Sequence, residues 1–413
     1  MKTLILALKQ HPVVYVTLDI ERALGLPLTT HNYYIVTNSD PFSRDLAKKY
    51  RNIILIKDHK QLSTRELLEH PQAAKLIHTL SEPKIVVFKN TNSIEAICKK
   101  NNWQLLNPPS TLANSIEEKI SQIHWLGKLA KFLPTHKVQT CNKIEWENKP
   151  FILQFNFAHT GNGTFLIDSR EALNKIKKDF PERPVRMLKY IQGPTFTNNN
   201  IVWGEKILSG AINYQITGIS PFTNRPFATV GNDWQIPNKI LNKKQRENYY
   251  ALATKVGEKL AASGWRGLFG IDVVMDHKTG KLYLIEVNAR QPASTTCESQ
   301  LQNEKRAKNK MGITTFEAHL AALLQIENGN EKIIELKQGA QIVKRVNDNE
   351  TALTYKQKLM LQKKLPKKLF KTILYDNQEV GSESIRIQCK NGLIKKHSEL
   401  NELGEMIKNI LTT

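Results

Sequence analysis

Nowhere in the chain do apolar residues run for the roughly 18 positions that a helix needs to cross a bilayer, so a helical membrane protein is excluded at once. Cysteine is scarce. Cys98, Cys141, Cys297 and Cys389 are scattered, without the paired spacing of a zinc site or a disulfide framework, and a reducing cytoplasmic setting is expected. No glycine-rich dinucleotide fingerprint follows the first predicted strand, which argues against NAD. Internal repeats and low-complexity stretches are absent as well. Acidic residues are in deficit: 38 Asp and Glu stand against 60 Lys and Arg, a formal charge of +22. Such a surplus invites a polyanion, but it is spread thinly. The densest basic run, "YKQKLMLQKKLPKKLFK" (Tyr355 to Lys371), lies in a final stretch of 83 residues that holds 16 basic and 10 acidic side chains, a net of only +6. Nucleic acid is therefore not an expected partner.

What remains is ordinary globular material, 40% hydrophobic and 24% charged over 413 residues, enough for two or three domains. The first stretch alternates short apolar segments (Thr3–Leu8, Tyr34–Thr37, Ile53–Ile56, Lys84–Phe88) with helical patterns, one opened by the capping box Ser63-x-x-Glu66. The opening run Thr3–Leu8 is broken by Lys9, Gln10 and His11 and is followed by no small-residue cleavage site. It predicts a first buried strand and not a signal peptide. Strands alternating with helices imply a parallel, doubly wound sheet. "NPPSTLANS" (Asn107 to Ser115) then starts a helix expected to run through Glu118, Lys119, Trp125 and Leu129. Further helices are predicted over Arg170–Phe180, over Lys243–Ser263 and after the capping box Thr314-x-x-Glu317. The expected class is α/β, with an α+β core. The expected partition is an N-terminal domain over 1–112, a central domain over 113–330 with a lid at about 145–190, and a small separate unit over 331–413.

One stretch resists a purely structural reading. In "YLIEVNARQPAST" (Tyr283 to Thr295), Glu286, Asn288 and Arg290 occupy alternate positions and so project from one face of an extended chain. Asp272 lies 14 residues before Glu286, across a turn carried by "DHKTGK" (Asp276 to Lys281). A hairpin about that turn sets the two carboxylates nearly opposite, where they repel unless a cation lies between them. With the Asn288 amide oxygen, the cluster is made of oxygens only, a donor set that suits Mg²⁺ together with substrate phosphates. Arg290 is positioned to pair with a phosphoryl group. The loop "AHTGNGT" (Ala158 to Thr164) supplies Gly161 and Gly163, where backbone N–H groups can approach a phosphate.

Taken together, "GIDVVMD…GKLYLIEVNAR" and the glycine loop resemble the ATP-grasp superfamily of carboxylate–amine ligases, preceded by a biotin-carboxylase-like N-terminal domain. The resemblance covers roughly residues 1 to 345. It implies ATP with one or two Mg²⁺ (or Mn²⁺ in substitution) at Asp272, Glu286 and Asn288, and a catalytic role for Arg290 beside an acyl phosphate. It also implies that Lys119, in the segment "EEK", meets the ATP phosphates. Gln154 and the loop residues Thr160, Gly161 and Gly163 would lie over them, and the hinge residues Lys189, Tyr190 and Ile191 would lie along the adenine edge. The sequence departs from the family pattern at Gln154, where a lysine is usual, at Leu188, where an acid is common, and at Thr195, where a glutamate often stands.

The implied reaction is activation of a carboxylate by ATP, followed by capture with an amine or similar nucleophile and release of ADP and phosphate. Small-molecule carboxylate and amine substrates are the expected partners, and a homodimer is left open. Two alternatives stand beside it: a nucleotide-regulated binding module without catalysis, and a bicarbonate-activating enzyme of the carboxylase or carbamoyl-phosphate type. "QPASTTCESQ" is expected to start a helix capped by Ser294 or Thr295, with Cys297 as a buried thiol. "NEKRAKNK" reads as a polar loop that carries Lys305, Arg306, Lys308 and Lys310 near the site.

Overall fold

The computed structural model describes residues 2–156, 163–309, 312–348 and 350–412. Its N-terminal sheet is parallel and five-stranded, in the order Ile53–Ile56, Tyr33–Asn38, Val13–Val16, Lys84–Val87, Gln104–Leu105. The central strand is apolar at every position because both its faces are covered. Val13 and Tyr15 enter one core layer, while Val14 and Val16 enter the other. The predicted Ser63/Glu66 and Thr314/Glu317 capping boxes both form.

Thr3–Leu8 is not a strand. It belongs to a helix, Lys2–Gln10, and the first strand is Val13–Val16. Leu4 and Leu8, four residues apart, are buried, whereas Ile5 and Leu6 are exposed. A six-residue apolar run is too short for its period to separate helix from strand.

A second, four-stranded antiparallel sheet runs His136–Thr140, Pro184–Lys189, Phe151–Phe155, Thr164–Ile167. The helix Arg170–Asp179 covers it through Leu173 and Ile176. Most of this sheet falls in the stretch, about 145–190, expected to form a lid, and it is called the lid sheet below. The third sheet has nine strands. Leu282–Asn288, Gly267–Met275, Thr195–Trp203, Asn213–Thr217 and Thr229–Asp233 are followed by Ala340–Arg345, Glu383–Cys389 and Phe370–Leu374, with Lys206–Ser209 paired onto Thr195–Trp203. The strands beyond residue 330 thus extend the central sheet and do not stand apart from it: Gly231 pairs with Ile342, and the ladder continues outward from there. A 20-residue helix, Lys243–Ala262, opens with an Asn242/Gln245 capping box and packs Tyr249, Leu252, Val256 and Leu260 into the same core.

Three features align the central sheet's edge. The turn before Leu282 is held by Asp276, whose carboxylate accepts from the Lys278 and Thr279 N–H groups at 2.8 and 3.2 Å. Gly193, at φ +156°, passes so near strand Gly267–Met275 that a Cβ there would lie 1.9 Å from the Met275 carbonyl oxygen. The helix Thr295–Asn309 follows the edge strand closely and buries Cys297 and Glu298. That helix reaches Asn309, so "NEKRAK" is helical and not a loop. Arg306 is held by Glu317 at 2.6 and 2.8 Å, and Lys305 by the Glu335 carbonyl at 2.6 Å. Lys308 and Lys310 lie outside the described side chains.

Glu298 accepts from the Ala211 N–H at 3.0 Å and from the Asn199 amide, yet burial pushes its pKa up to about 7. A carboxyl raised above its unfolded value contributes full stability below about pH 4.5 and loses it as pH rises through about 7. Glu298→Gln should therefore flatten the pH dependence of stability between pH 5 and 8. The removed slope should be on the order of 3 kcal/mol, measured as the urea midpoint at each pH. An unchanged slope would mean that Glu298 does not titrate in this range.

Candidate active site

The hairpin brings the two carboxylates together. Asp272 and Glu286 are directly paired across the ladder between Gly267–Met275 and Leu282–Asn288, with a bulge just after Asp272. Asn288 lies two residues along the same face, and its amide nitrogen donates to Asp272 Oδ2 at 3.3 Å. Gln215, from the strand Asn213–Thr217, donates to Asp272 Oδ1 at 2.9 Å. Burial and the charge of Glu286 push the Asp272 carboxyl up to about 6. Burial acts to raise Glu286 too, but Lys119 and then Arg290 outweigh it and hold that carboxyl below its ordinary value.

Lys119 reaches this pair because its helix ends early. The helix runs only over Ser110–Glu117, Glu118 is extended at ψ 132°, and a new helix starts at Ser121–Leu126. Asn156, at the end of the lid strand, fills the gap. Its carbonyl accepts from the Lys119 N–H at 3.4 Å, its side-chain oxygen from the Ile120 N–H at 2.9 Å, and its amide donates to Glu118 at 3.0 Å. The expected continuous helix through Lys119 and Trp125 is thus interrupted, since the backbone donors at the break are satisfied by Asn156. Freed from the helix, the buried Lys119 side chain forms an ion pair with Glu286.

Arg290 lies just past the strand and pairs with Glu117, the last residue of the interrupted helix. Lys89, two residues beyond the end of strand Lys84–Val87, takes the other Glu117 oxygen at 2.6 Å. Burial works against both ions, yet the two cations hold the Glu117 carboxyl below its usual range, and Glu117 with Glu286 keeps Arg290 charged. The next residues tie this strand end to the N-terminal domain. Gln291 accepts from Tyr15 Oη at 2.7 Å and donates to the Arg22 carbonyl at 2.8 Å, while Arg22 donates to the Ala293 carbonyl at 2.9 Å.

On the lid side, Gln154 is buried. Its oxygen accepts from Arg186 and its nitrogen donates to Thr164 at 3.3 Å. Gly163 closes the lid hairpin, its carbonyl accepting from the Phe155 N–H at 2.9 Å; Thr160 and Gly161 lie outside the described residues. Lys189 is exposed at the end of the strand Pro184–Lys189, Tyr190 is half-buried, and Ile191 is buried in the link to the central sheet. Ser294 and Thr295, considered as helix caps, direct their hydroxyls to Asn199 and to the Pro292 carbonyl.

A cavity of about 910 Å³ begins at Lys89 and Arg290. Its floor is the carboxyl ends of the parallel strands (Thr17 to Asp19, Asn38 to Pro41, Ile56, Phe88) and its far wall is Tyr375 to Asn377 with Glu383. The crevice outside the carboxyl ends of a parallel sheet is where open α/β sheets bind ligands. Lys89, Glu117, Gln215 and Arg186 join the constellation although the sequence reading did not name them as site residues. Of these, only Arg186 left a local signal, a charge in the middle of a strand whose neighbours are apolar.

Comparison with known proteins bears on the fold. A family model described as an ATP-grasp domain matches residues 116–294. The fold is similar to that of carboxyaminoimidazole ribonucleotide synthase from Aspergillus clavatus, solved with ATP, at a TM-score of 0.65 and 14% identity over 97% of each chain. It is also similar to an L-amino acid ligase from Bacillus licheniformis (TM-score 0.60, 13% identity, 97% of this chain and 96% of that one). A biotin carboxylase from Campylobacter jejuni gives a TM-score of 0.61 at 17% identity over 91% and 86%. No curated protein matches by sequence.

Glu117 is the shared acid of two cations, so Glu117→Gln should leave Lys89 and Arg290 repelling each other. With both cations about one-fifth exposed and hence partly screened, the expected loss is about 1–3 kcal/mol, read from the urea midpoint. A variant as stable as the parent would show that solvent already neutralises this triad.

Proposed function

Given that residues 116–294 match the model of an ATP-grasp domain, we propose that the chain is an ATP-dependent ligase that activates a carboxylate as an acyl phosphate and joins it to an amine or similar nucleophile. The observation that carries this reading is the directly opposed pair Asp272 and Glu286, flanked on one strand face by Asn288 and followed by Arg290. Two carboxylates paired directly across a ladder require a cation, and Glu286 has the Lys119 ammonium. Two acids and an amide oxygen fit a divalent ion brought in with nucleotide: Asp272, Glu286 and Asn288 would hold Mg²⁺, and the Lys119 ammonium, displaced from Glu286, would turn to the phosphates. When bound, the ion neutralises charge on the transferring phosphoryl group.

The chain's own residues do the rest. Arg290, with its planar fork, would hold the transferring phosphoryl group in two contacts, and Glu117 fixes the direction of that fork. A substrate carboxylate oxygen attacks the γ-phosphorus, the bond to the bridging oxygen breaks, and ADP leaves. The nucleophile then adds to the acyl carbon, the carbon–oxygen bond to phosphate breaks, and the departing phosphate takes the proton. The cavity beside Arg290 and Lys89 is the natural place for the acceptor, because it opens at the end of the strand where the acyl phosphate would form. Its walls carry both signs of charge, including Asp19, Arg22, Lys60 and Glu383, and this suits a polar, charged acceptor more than an apolar one. The structures with ATP or ADP bound, and the L-amino acid ligase among the similar folds, support the same reading.

Two substitutions test it. Screening amino acids and small organic acids for ATP-dependent phosphate release should give a productive carboxylate, and Glu286→Gln should abolish that release while the variant stays folded. Release at the parent rate would remove the metal assignment. Arg290→Lys should lower kcat about 10²–10³-fold with ATP affinity nearly unchanged, the pattern of a contact made mainly in the transition state. If kcat per folded molecule is near normal and only the melting temperature falls, Arg290 serves to hold Glu117 and not the reacting group.

A further inference from the structure

Arg186 is a buried cation close to the paired carboxylates but not bonded to them. It is fully buried in the strand Pro184–Lys189, an interior strand of the lid sheet, directly across the ladder from Gln154. Its guanidinium has only neutral acceptors. Nε and Nη2 donate to Gln154 Oε1 at 3.0 and 2.6 Å, Nη1 to Gln122 Oε1 at 3.4 Å, and Nη2 to the Ile285 carbonyl at 3.1 Å. Arg22, Arg290, Arg306 and Arg386 each contact a carboxylate, whereas none lies within 4 Å of Arg186 among the described residues. Burial draws its pKa down to about 10, opposed only by the more distant charge of Glu286. A buried cation without an anion is costly, and amide and carbonyl oxygens offset only part of that cost.

Its position suggests what completes it. Ile285, whose carbonyl it holds, immediately precedes Glu286, so Arg186 spans from the lid sheet to the strand that carries the carboxylates. Along that strand the order is Arg186 at Ile285, then Glu286, Asn288 and Arg290, with the cavity beyond. Arg186 itself is on the strand that leads to Lys189, Tyr190 and Ile191. Resting on the nucleotide reading above, we propose that Arg186 binds the non-transferred phosphates of the nucleotide, exchanging its neutral oxygen acceptors for phosphoryl oxygens. The positive charge that Gln154 does not carry then comes from the neighbouring strand. The nucleotide lies with its transferred end at Arg290, its diphosphate at Arg186, and its base toward Tyr190 and Ile191.

The test uses the full chain and isothermal titration with Mg·ADP, Mg·ATP and adenosine, on the parent, Arg186→Gln, and the double variant Gln154→Lys with Arg186→Gln. The double variant moves the cation to the other member of the same cross-strand pair. Far-UV circular dichroism and melting temperature check each fold. The expected result is a loss of ADP and ATP affinity on the order of 10–100-fold in Arg186→Gln, with adenosine affinity unchanged and much of the loss restored in the double variant. A folded Arg186→Gln that binds ADP like the parent overturns the proposal, as does an equal loss for adenosine or a loss confined to ATP. If Arg186→Gln does not fold, the double variant decides: ADP affinity within tenfold of the parent supports the assignment, and weaker binding overturns it. A parent chain that binds neither ADP nor ATP defeats the nucleotide reading itself, whereas parent binding with an unaffected Arg186→Gln defeats only this assignment.

Discussion

Repulsion between Asp272 and Glu286 is the constraint around which the centre of the molecule is arranged. Side chains opposed in an antiparallel pair cannot move apart without breaking the ladder, so the charge must be answered from outside it. Two answers are visible. Asp272 holds a proton more tightly than an ordinary carboxyl, and Glu286 keeps its charge by taking Lys119. The second answer needs a break in a helix, and that break needs Asn156 to satisfy the freed backbone donors. A long-range sequence of structural events thus follows from one pair of acids.

The same economy governs the strand's end. Arg290, Glu117 and Lys89 come from three different elements, and one carboxylate joins them. Immediately after, Gln291 and Ala293 are bonded to Tyr15 and Arg22 of the N-terminal domain. Arg22 in turn faces Glu383 at 3.4 Å, and Glu383 is held by the fully buried Arg386 in the strand Glu383–Cys389. Three parts of the chain, far apart in sequence, are fixed around the residues that follow Arg290. Buried ionic networks of this type contribute little net stability compared with apolar packing, but each member is intolerant of losing its partner.

Sequence patterns foretold some of this and were silent on the rest, for reasons that can be named. The opposition of Asp272 and Glu286 was readable because strand side chains alternate with a period of two and a short turn fixes register. The parallel sheet was readable because short apolar strands alternate with helical patterns along the first stretch of the chain. Thr3–Leu8 was misread because six residues do not show a period. The break at Glu118 has no local signal, since its cause, Asn156, is 38 residues away. The pairing of Ala340–Arg345 with Thr229–Asp233 depends on a long-range register that no local window contains. Arg186 stood in plain view in "RPVRMLKYI", but its neutral surroundings become apparent only when Gln122, Gln154 and Ile285 are brought to it by three separate elements.

The cavity and the charged pair are built from different kinds of structure, and that difference governs how such a protein can diverge. The acids, Lys119 and Arg290 are fixed by ladder positions and mutual contacts, so a change at one is felt at the others. The cavity walls come from residues just past strand ends, from Thr17 to Asp19, Asn38 to Pro41 and Tyr375 to Asn377. Loop positions tolerate substitution and insertion far better than ladder positions do. Descendants of this chain could therefore acquire new acceptor molecules by drift in the walls, while the chemistry at the end of the strand passed unaltered from one specificity to the next.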